Sequence, residues 1–467
     1  MNGTKDWLSN LKLRLSYGTS GSDNISSNLW RETWSSLGSG SNHTPINGEL
    51  GSFYRPDGLL ANSKLKWETT ISRNFGIDFG FLNHRVNGSL EVYWNTTKDL
   101  LMAVPVDNTT GYSYQFQNFG KTSNRGIELS VNVDVINKGD FRFNVGAIYN
   151  YNRNKLDELP NADQYLYSSY WGSSSLVPTN DYMFVEGKAI GLVRGFINEG
   201  YYTVDDFNYT NGQYVLKEGV PDITKALTAT YMHPYDLPAG QTAFPGAAKF
   251  RDVDESGTVD LDDATCLGEV MPRHTGSFQL NFNYKNFDLS TNFNWTAGGK
   301  VYNVAAMINA SGQEFDGIGA QRASWVADAF KVYNVNAAGD LYAVTNPDEL
   351  RALNANAKYH LPYHQSGITS SEWLENGSYL RLQTLTLGYT LPKNWLTKVH
   401  VDKIRLYLTA TNLFTITGYS GIDPEVNANP TGQSGFYSDL RIFPTLNMDF
   451  GTYPRARTFT FGANITF

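Results

Sequence analysis

A chain of 467 residues is long enough for two or more soluble domains or one large barrel, and 43 Gly, 29 Tyr, 26 Phe and 10 Trp, with only 18% charged residues, describe an aromatic, turn-rich β protein. The net charge of -8, from 37 basic and 45 acidic side chains, argues against nucleic acid, which needs a clustered basic surface. There is no run of about 18 apolar residues, which excludes helical membrane spans, and the lone Cys266 excludes a disulfide within the chain.

Strands escape that hydropathy test because only every second residue of a barrel strand is apolar. The mean hydropathy of -0.38 is therefore no argument for solubility. The opening residues MNGTKDWLSN carry no basic segment followed by an apolar one. An exported protein should have one, so the expectation is either a cytosolic protein or a sequence that lacks the front of its gene.

Leu11, Leu13, Leu15 and Tyr17 alternate with Lys12, Arg14 and Ser16, the period of a strand. A Gly-, Ser- and Asn-rich connection runs on to about residue 70. Phe75, Ile77, Phe79 and Phe81 then alternate with polar residues, and only Asn83, His84 and Arg85 separate them from Val86, Leu90, Val92 and Trp94, which predicts a hairpin. A longer connection containing LLMAV (100–104) leads to Ile127, Leu129, Val131, Val133 and Val135. The turn 137–139 leads into Phe141, Phe143, Val145, Ala147, Tyr149 and Tyr151.

A very long region, 152–275, reads as irregular. Phe278, Leu280 and Phe282 pair by a tight turn with Phe287, Leu289, Thr291, Phe293 and Trp295. After another long connection, with a short helix expected near Pro347 to Ala357, come Leu385, Leu387, Tyr389 and Leu391, the linker PKNWLTKVH, and Ile404, Leu406, Leu408 and Ala410. The chain closes on RARTFTFGANITF, in which Phe459, Phe461, Ala463, Ile465 and Phe467 share one face.

Long and short connections thus alternate along roughly ten strands, each about long enough to cross a bilayer at a tilt. Outer-membrane barrels pair short periplasmic turns with long external loops. Placing the short turns in the periplasm leaves the C-terminus there too. The expected fold is all-β, an antiparallel transmembrane β-barrel with long extracellular loops.

Two constellations invite chemistry. Asp252, Asp254, Ser256, Gly257, Thr258, Asp260 and Asp263 fit positions 1, 3, 5, 6, 7, 9 and 12 of a calcium loop, with Ser256 in place of Asp or Asn and Asp263 in place of the longer Glu. Side-chain oxygens and the Thr258 carbonyl would surround a structural Ca²⁺ that pins an external loop; the plain reading is an acidic turn held by its own hydrogen bonds. Trp30, Trp34, Tyr170, Trp171 and Tyr437, with Tyr165, Tyr167, Tyr201 and Tyr202, put rings in the loops that would stack on sugar faces, or simply pack. His360 and His364 lie four apart, but Pro362 interrupts any helix and no HExxH frame exists, so they read as loop histidines. No nucleophile elbow, phosphate-binding glycine loop or C-x-x-C is present, and no enzyme is expected.

Seven stretches in order, KLKWETTISRNFGIDFGFLNHRVNGSLEVYWNTTKDLL (64–101), NRGIELSVN (124–132), FRDVDESGTVDLDD (250–263), YKNFDLS (284–290), YLRLQTLTLGY (379–389), GYSGIDPEV (418–426) and YPRARTFTFGANITF (453–467), resemble the C-terminal half of SusC/RagA-type TonB-dependent transporters of Bacteroidota. The resemblance implies a bacterial outer-membrane barrel of 22 strands with an N-terminal plug and a TonB-contacting segment. It also implies uptake of oligosaccharides or peptides with a SusD-like lipoprotein lid and energy from the TonB complex. Residues 1–467 would then supply about ten of the strands and no plug domain, as a truncated fragment. The alternatives are a secreted soluble glycan-binding protein or glycosidase, and a small self-closing porin.

Overall fold

The computed structural model describes residues 7–23, 29–32, 34–36, 45–46, 49–50, 54–56, 59–112, 114–159, 164–169, 176–228, 233–311, 323–361, 367–397, 401–426 and 446–467. Its main element is one ten-stranded antiparallel sheet. The strands are β1 (Leu8–Ser22), β2 (Glu68–Phe81), β3 (Val86–Lys98), β4 (Lys121–Lys138), β5 (Phe141–Glu158), β6 (His274–Tyr284), β7 (Phe287–Ala297), β8 (Tyr379–Thr390), β9 (Lys403–Thr417) and β10 (Thr458–Thr466). Each pairs with its neighbours in sequence, and β1 and β10 are the two free edges of an open sheet. A self-closing ten-stranded ring would need those two edges to pair, and they do not.

Register makes the sheet two-faced. Leu13 lies opposite Ile77, Ile77 opposite Leu90, Leu90 opposite Leu129, and Leu129 opposite Tyr149. Further along, Phe143 pairs with Phe282, Phe282 with Leu289, Leu289 with Leu387, Leu387 with Leu408 and Leu408 with Phe461. Because side chains alternate faces, a slip of one residue anywhere would turn a strand's apolar set to the other side. The ten strands instead keep one continuous apolar face, which no other element covers among the described residues: Leu15 is 86% exposed and Phe461 74%.

The tight-turn end of that face is aromatic. Trp7 stacks on Phe81, Phe143 on Phe282, and Phe141 meets Tyr284 edge-on, while Phe287 meets Tyr389 with ring centres 4.7 Å apart. Girdles of aromatic residues flank the apolar band of membrane barrels at its interfaces, with Trp7, Tyr284 and Tyr389 supplying the polar tips here. Among the described residues no helix is long and apolar enough to cross a membrane, which leaves crossing by strands untouched.

The connections segregate as expected: 82–85, 139–140, 285–286 and 391–402 at one end of the sheet, against 23–67, 99–120, 159–273, 298–378 and 418–457 at the other. The turn at 393–396 is a short helix, and the helix expected near 347–357 spans Pro347–Leu353, with the Asn346 side chain accepting from the Asp348 and Glu349 amides.

The region read as irregular holds regular structure: its described residues include short strands whose apolar side chains join those of other long loops in two dry clusters. One gathers Leu176, Tyr182, Val193, Tyr302, Met307 and Met448; the other gathers Phe196, Tyr202, Phe250, Val259, Phe330 and Leu350. Each segment is too short to show a period of its own. Among the described residues the dry interior therefore lies in the loops, not behind the sheet.

Candidate functional site

The polar face of the sheet carries a cross-linked wall. Arg14 on β1 reaches Asp78 on β2 at 3.0 Å and Glu91 on β3 at 3.5 Å. At the far side, Arg405 on β9 bonds Asp288 on β7 at 2.5 Å across the Gly388 backbone, and its guanidinium lies over Tyr407. Between them Ser290 donates to Asn281 at 2.7 Å and Asn294 donates to Gln383 at 2.5 Å. Two glycines make room for rings to lie flat: a Cβ at Gly126 would collide with Tyr93, and one at Gly462 with Tyr407. Tyr93 can then donate to Asn152 at 3.1 Å.

On this face Asn74, Glu91, Tyr93, Asn95, Asn124, Glu128 and Asn152 line a cleft of about 410 Å³. Its amides and carboxylates offer a mainly hydrogen-bonding lining, suited to solutes rich in hydroxyl or peptide groups.

At the long-loop end, a buried ion cluster ties the loops to the sheet. Arg381 on β8, 2% exposed, bonds Asp423 at 2.5 Å, Glu425 at 3.0 Å and the Thr415 hydroxyl at 3.0 Å. Glu425 also takes Arg455 at 2.8 Å. Three of the stretches that carry the family resemblance, YLRLQ, GIDPEV and PRAR, thus meet at one point. Sequence spacing gave no hint of it.

The acidic loop lies on the second dry cluster. Thr258–Val259 pairs in parallel with Asp222–Ile223, and Val259 and Ile223 are buried. Asp252, Asp254 and Asp263 bring one carboxylate oxygen each to within 4.8 Å of one another. Asp263, 1% exposed, accepts the Val253 amide at 2.6 Å and the Asp260 amide at 2.8 Å. Gly257 takes φ +87°, which lets its amide turn back to Asp252 at 2.7 Å. Hydrogen bonding with Ser256, whose amide donates at 3.0 Å, holds the Asp254 carboxyl below its ordinary range. Of the other expected ligands, Asp260 caps the Asp262 amide, and the Ser256 hydroxyl donates to the Thr258 carbonyl.

Of the ring candidates, Trp30 is exposed, beside buried Leu29. Trp34 opens a short strand paired with 54–56, but its side chain lies outside the described residues, as do Tyr170, Trp171 and Tyr437. Tyr167 and Tyr202 are core residues, and Tyr202 donates to the Pro221 carbonyl at 2.6 Å, so neither has a face to offer a sugar. His360 is buried against Trp325, with Nδ1 2.8 Å from the Leu361 carbonyl; His364 lies outside the described residues.

A two-faced antiparallel meander with an uncovered apolar belt, a polar wall and all long loops at one end defines an outer-membrane β-barrel protein. A family profile described as TonB dependent receptor-like, beta-barrel, matches residues 4–413, and the chain belongs to that family, whose members are receptors and transporters rather than enzymes. It is 29% identical over 457 residues to TonB-dependent receptor P3 of Formosa agariphila, covering 98% of this chain and 39% of that protein. It is 27% identical over 470 residues to TonB-dependent receptor SusC of Bacteroides thetaiotaomicron, covering 98% and 38%. The RagAB peptide transporter superposes with a TM-score of 0.67 at 22% identity, over 99% of this chain and 41% of that one, a likeness of fold. The chain thus spans about two-fifths of the length of these relatives.

Proposed function

We propose that this chain forms the C-terminal portion of the barrel of a TonB-dependent transporter that takes up oligosaccharides or peptides, with a SusD-like surface lipoprotein as partner and the TonB complex as energy source. The observation that carries the reading is the division of one ten-stranded sheet into an unbroken apolar face and a hydrogen-bonding one. The free edges of β1 and β10 fit this reading, because lipid tolerates no unpaired backbone and further strands must complete the ring. The short turns then face the periplasm, and the packed loop body of 159–273 faces outward, where a lipoprotein lid would dock. A polar wall with a plug inside it gives solute a wet path without opening the membrane.

In the same reading the acidic loop holds a structural Ca²⁺ through Asp252, Asp254 and Asp263, with Ser256, Thr258 and Asp260 alongside. Hard carboxylate oxygens suit that ion, and the buried Asp263 would transmit its order to the dry cluster below.

Deleting the gene tests the transport reading. Loss of growth on one oligosaccharide or peptide source, with growth on the corresponding monomers intact, supports it. Unimpaired growth across a broad panel of both contradicts it.

A further inference from the structure

The apolar face of the sheet ends differently at its two rims. At the tight-turn rim it ends in rings. At the long-loop rim of β1 to β5 it ends in cations. The last apolar rung runs Leu15, Phe75, Val92, Ile127 and Tyr151. The next, roughly 7 Å further along the strands, runs Tyr17, Arg73, Trp94, Arg125 and Arg153 on the same lipid-facing side. Two rungs beyond, Lys98 lies opposite Lys121.

Arg125 and Arg153 are direct cross-strand partners, an arrangement that like charges disfavour. Arg73, on the other side of Trp94, reaches only the Thr96 hydroxyl, at 3.4 Å. The two carboxylates nearby are taken: Glu158 by Lys121 at 2.8 Å and Asp157 by Lys155 at 3.5 Å. Among the described residues, no carboxylate pairs with Arg73, Lys98, Arg125 or Arg153, while Arg14, Arg381 and Arg405 on the polar face each have one. Arg73, Trp94, Lys121 and Arg125 line an open hollow of about 480 Å³ together with Asn95, Thr96, Ser123 and the two lysine-paired carboxylates Asp157 and Glu158.

The geometry points to a binding site for a phosphate-bearing lipid headgroup of the outer leaflet, seated in this hollow with its acyl chains on the Phe75, Val92 and Ile127 rung. Guanidinium forks match phosphate oxygens bidentately. The site lies at the level where a headgroup sits and opens directly onto the apolar belt, which favours a lipid over a soluble anion. This inference rests on the long loops facing outward.

The test is native mass spectrometry of the protein, purified from outer membranes and placed in phosphatidylcholine nanodiscs containing phosphorylated lipid A. The protein should retain phosphorylated lipid A, and Arg73→Gln/Arg125→Gln/Arg153→Gln should lower retention about tenfold or more. Lys138→Gln/Arg142→Gln, at the tight-turn end of β4 and β5, should leave it unchanged. Equal retention by the triple variant, equal retention of dephosphorylated lipid A, or tight binding of inorganic pyrophosphate in place of lipid each overturns the proposal. Should the triple variant fail to assemble, Arg125→Gln alone, which relieves the cross-strand repulsion, carries the same comparison. Sidedness is read separately by labelling Glu218→Cys, in a Cys266→Ser background, with an impermeant maleimide on intact cells, so a wrong orientation and a missing lipid site give different results.

Discussion

Arg381 on β8 and Asp423, 42 residues further along the chain, meet at 2.5 Å with almost no solvent around them. Glu425 and the Thr415 hydroxyl complete the fork, so the guanidinium is matched on every side it presents. Breaking a fully buried pair costs about 3–5 kcal/mol; removing Arg381 strands the nearly buried Asp423, while Glu425 is 40% exposed and keeps Arg455, so the loss falls below that range. Arg381→Ala should therefore loosen the 418–426 segment and lower the temperature at which the folded barrel loses its compact mobility on gels. Arg381→Lys should not rescue it, since an ammonium cannot bridge two carboxylates as a planar fork does.

The two faces of β3 should respond oppositely to charge. Leu90 sits mid-belt, between Ile77 and Leu129, and Leu90→Arg should cost about 2–4 kcal/mol, as expected for a cation at the bilayer midplane. Ser89→Arg, one residue away on the polar face, should be nearly neutral. Urea unfolding in lipid vesicles compares them; equal penalties would mean that neither side meets lipid.

His233 in the loop body is wedged between Tyr235 and Phe244, its ring centre 4.1 Å from that of Phe244. Burial pushes its pKa below the ordinary value, so the unfolded chain binds the proton more readily than the folded one. Stability is then lost as the pH falls from roughly 6.5 toward the depressed folded value, and levels off below it. Hydrogen exchange of residues 233–259 should quicken over that window, and His233→Phe should abolish the dependence.

Calcium should register as heat. Calorimetric titration of the folded protein at about millimolar Ca²⁺ should show binding that Asp254→Asn weakens roughly tenfold. No heat from the unaltered protein at that concentration contradicts the site.

The sheet was legible because its signal is local. Leu11 to Tyr17 and Phe459 to Phe467 carry a period of two that any reader of the sequence can count, and the structure places all ten strands near where that count puts them. The loop body was not legible, because its cores are assembled from segments far apart. Tyr182, Tyr302 and Met448 touch one cluster, yet none sits in a periodic stretch. The same holds for Arg381 with its partners and for the row of Arg73, Arg125 and Arg153. Both depend on register and loop closure, which no spacing along the chain encodes.

One measurement reaches the centre of the account: the accessibility of nitroxides placed singly at residues 127 to 132 of β4 in lipid vesicles. Labels at Ile127, Leu129 and Val131 should collide with oxygen dissolved in the acyl chains, and labels at Glu128, Ser130 and Asn132 with a water-soluble nickel chelate. If the odd positions instead prove shielded from both reagents, as in the dry middle of a soluble protein, the membrane barrel is wrong.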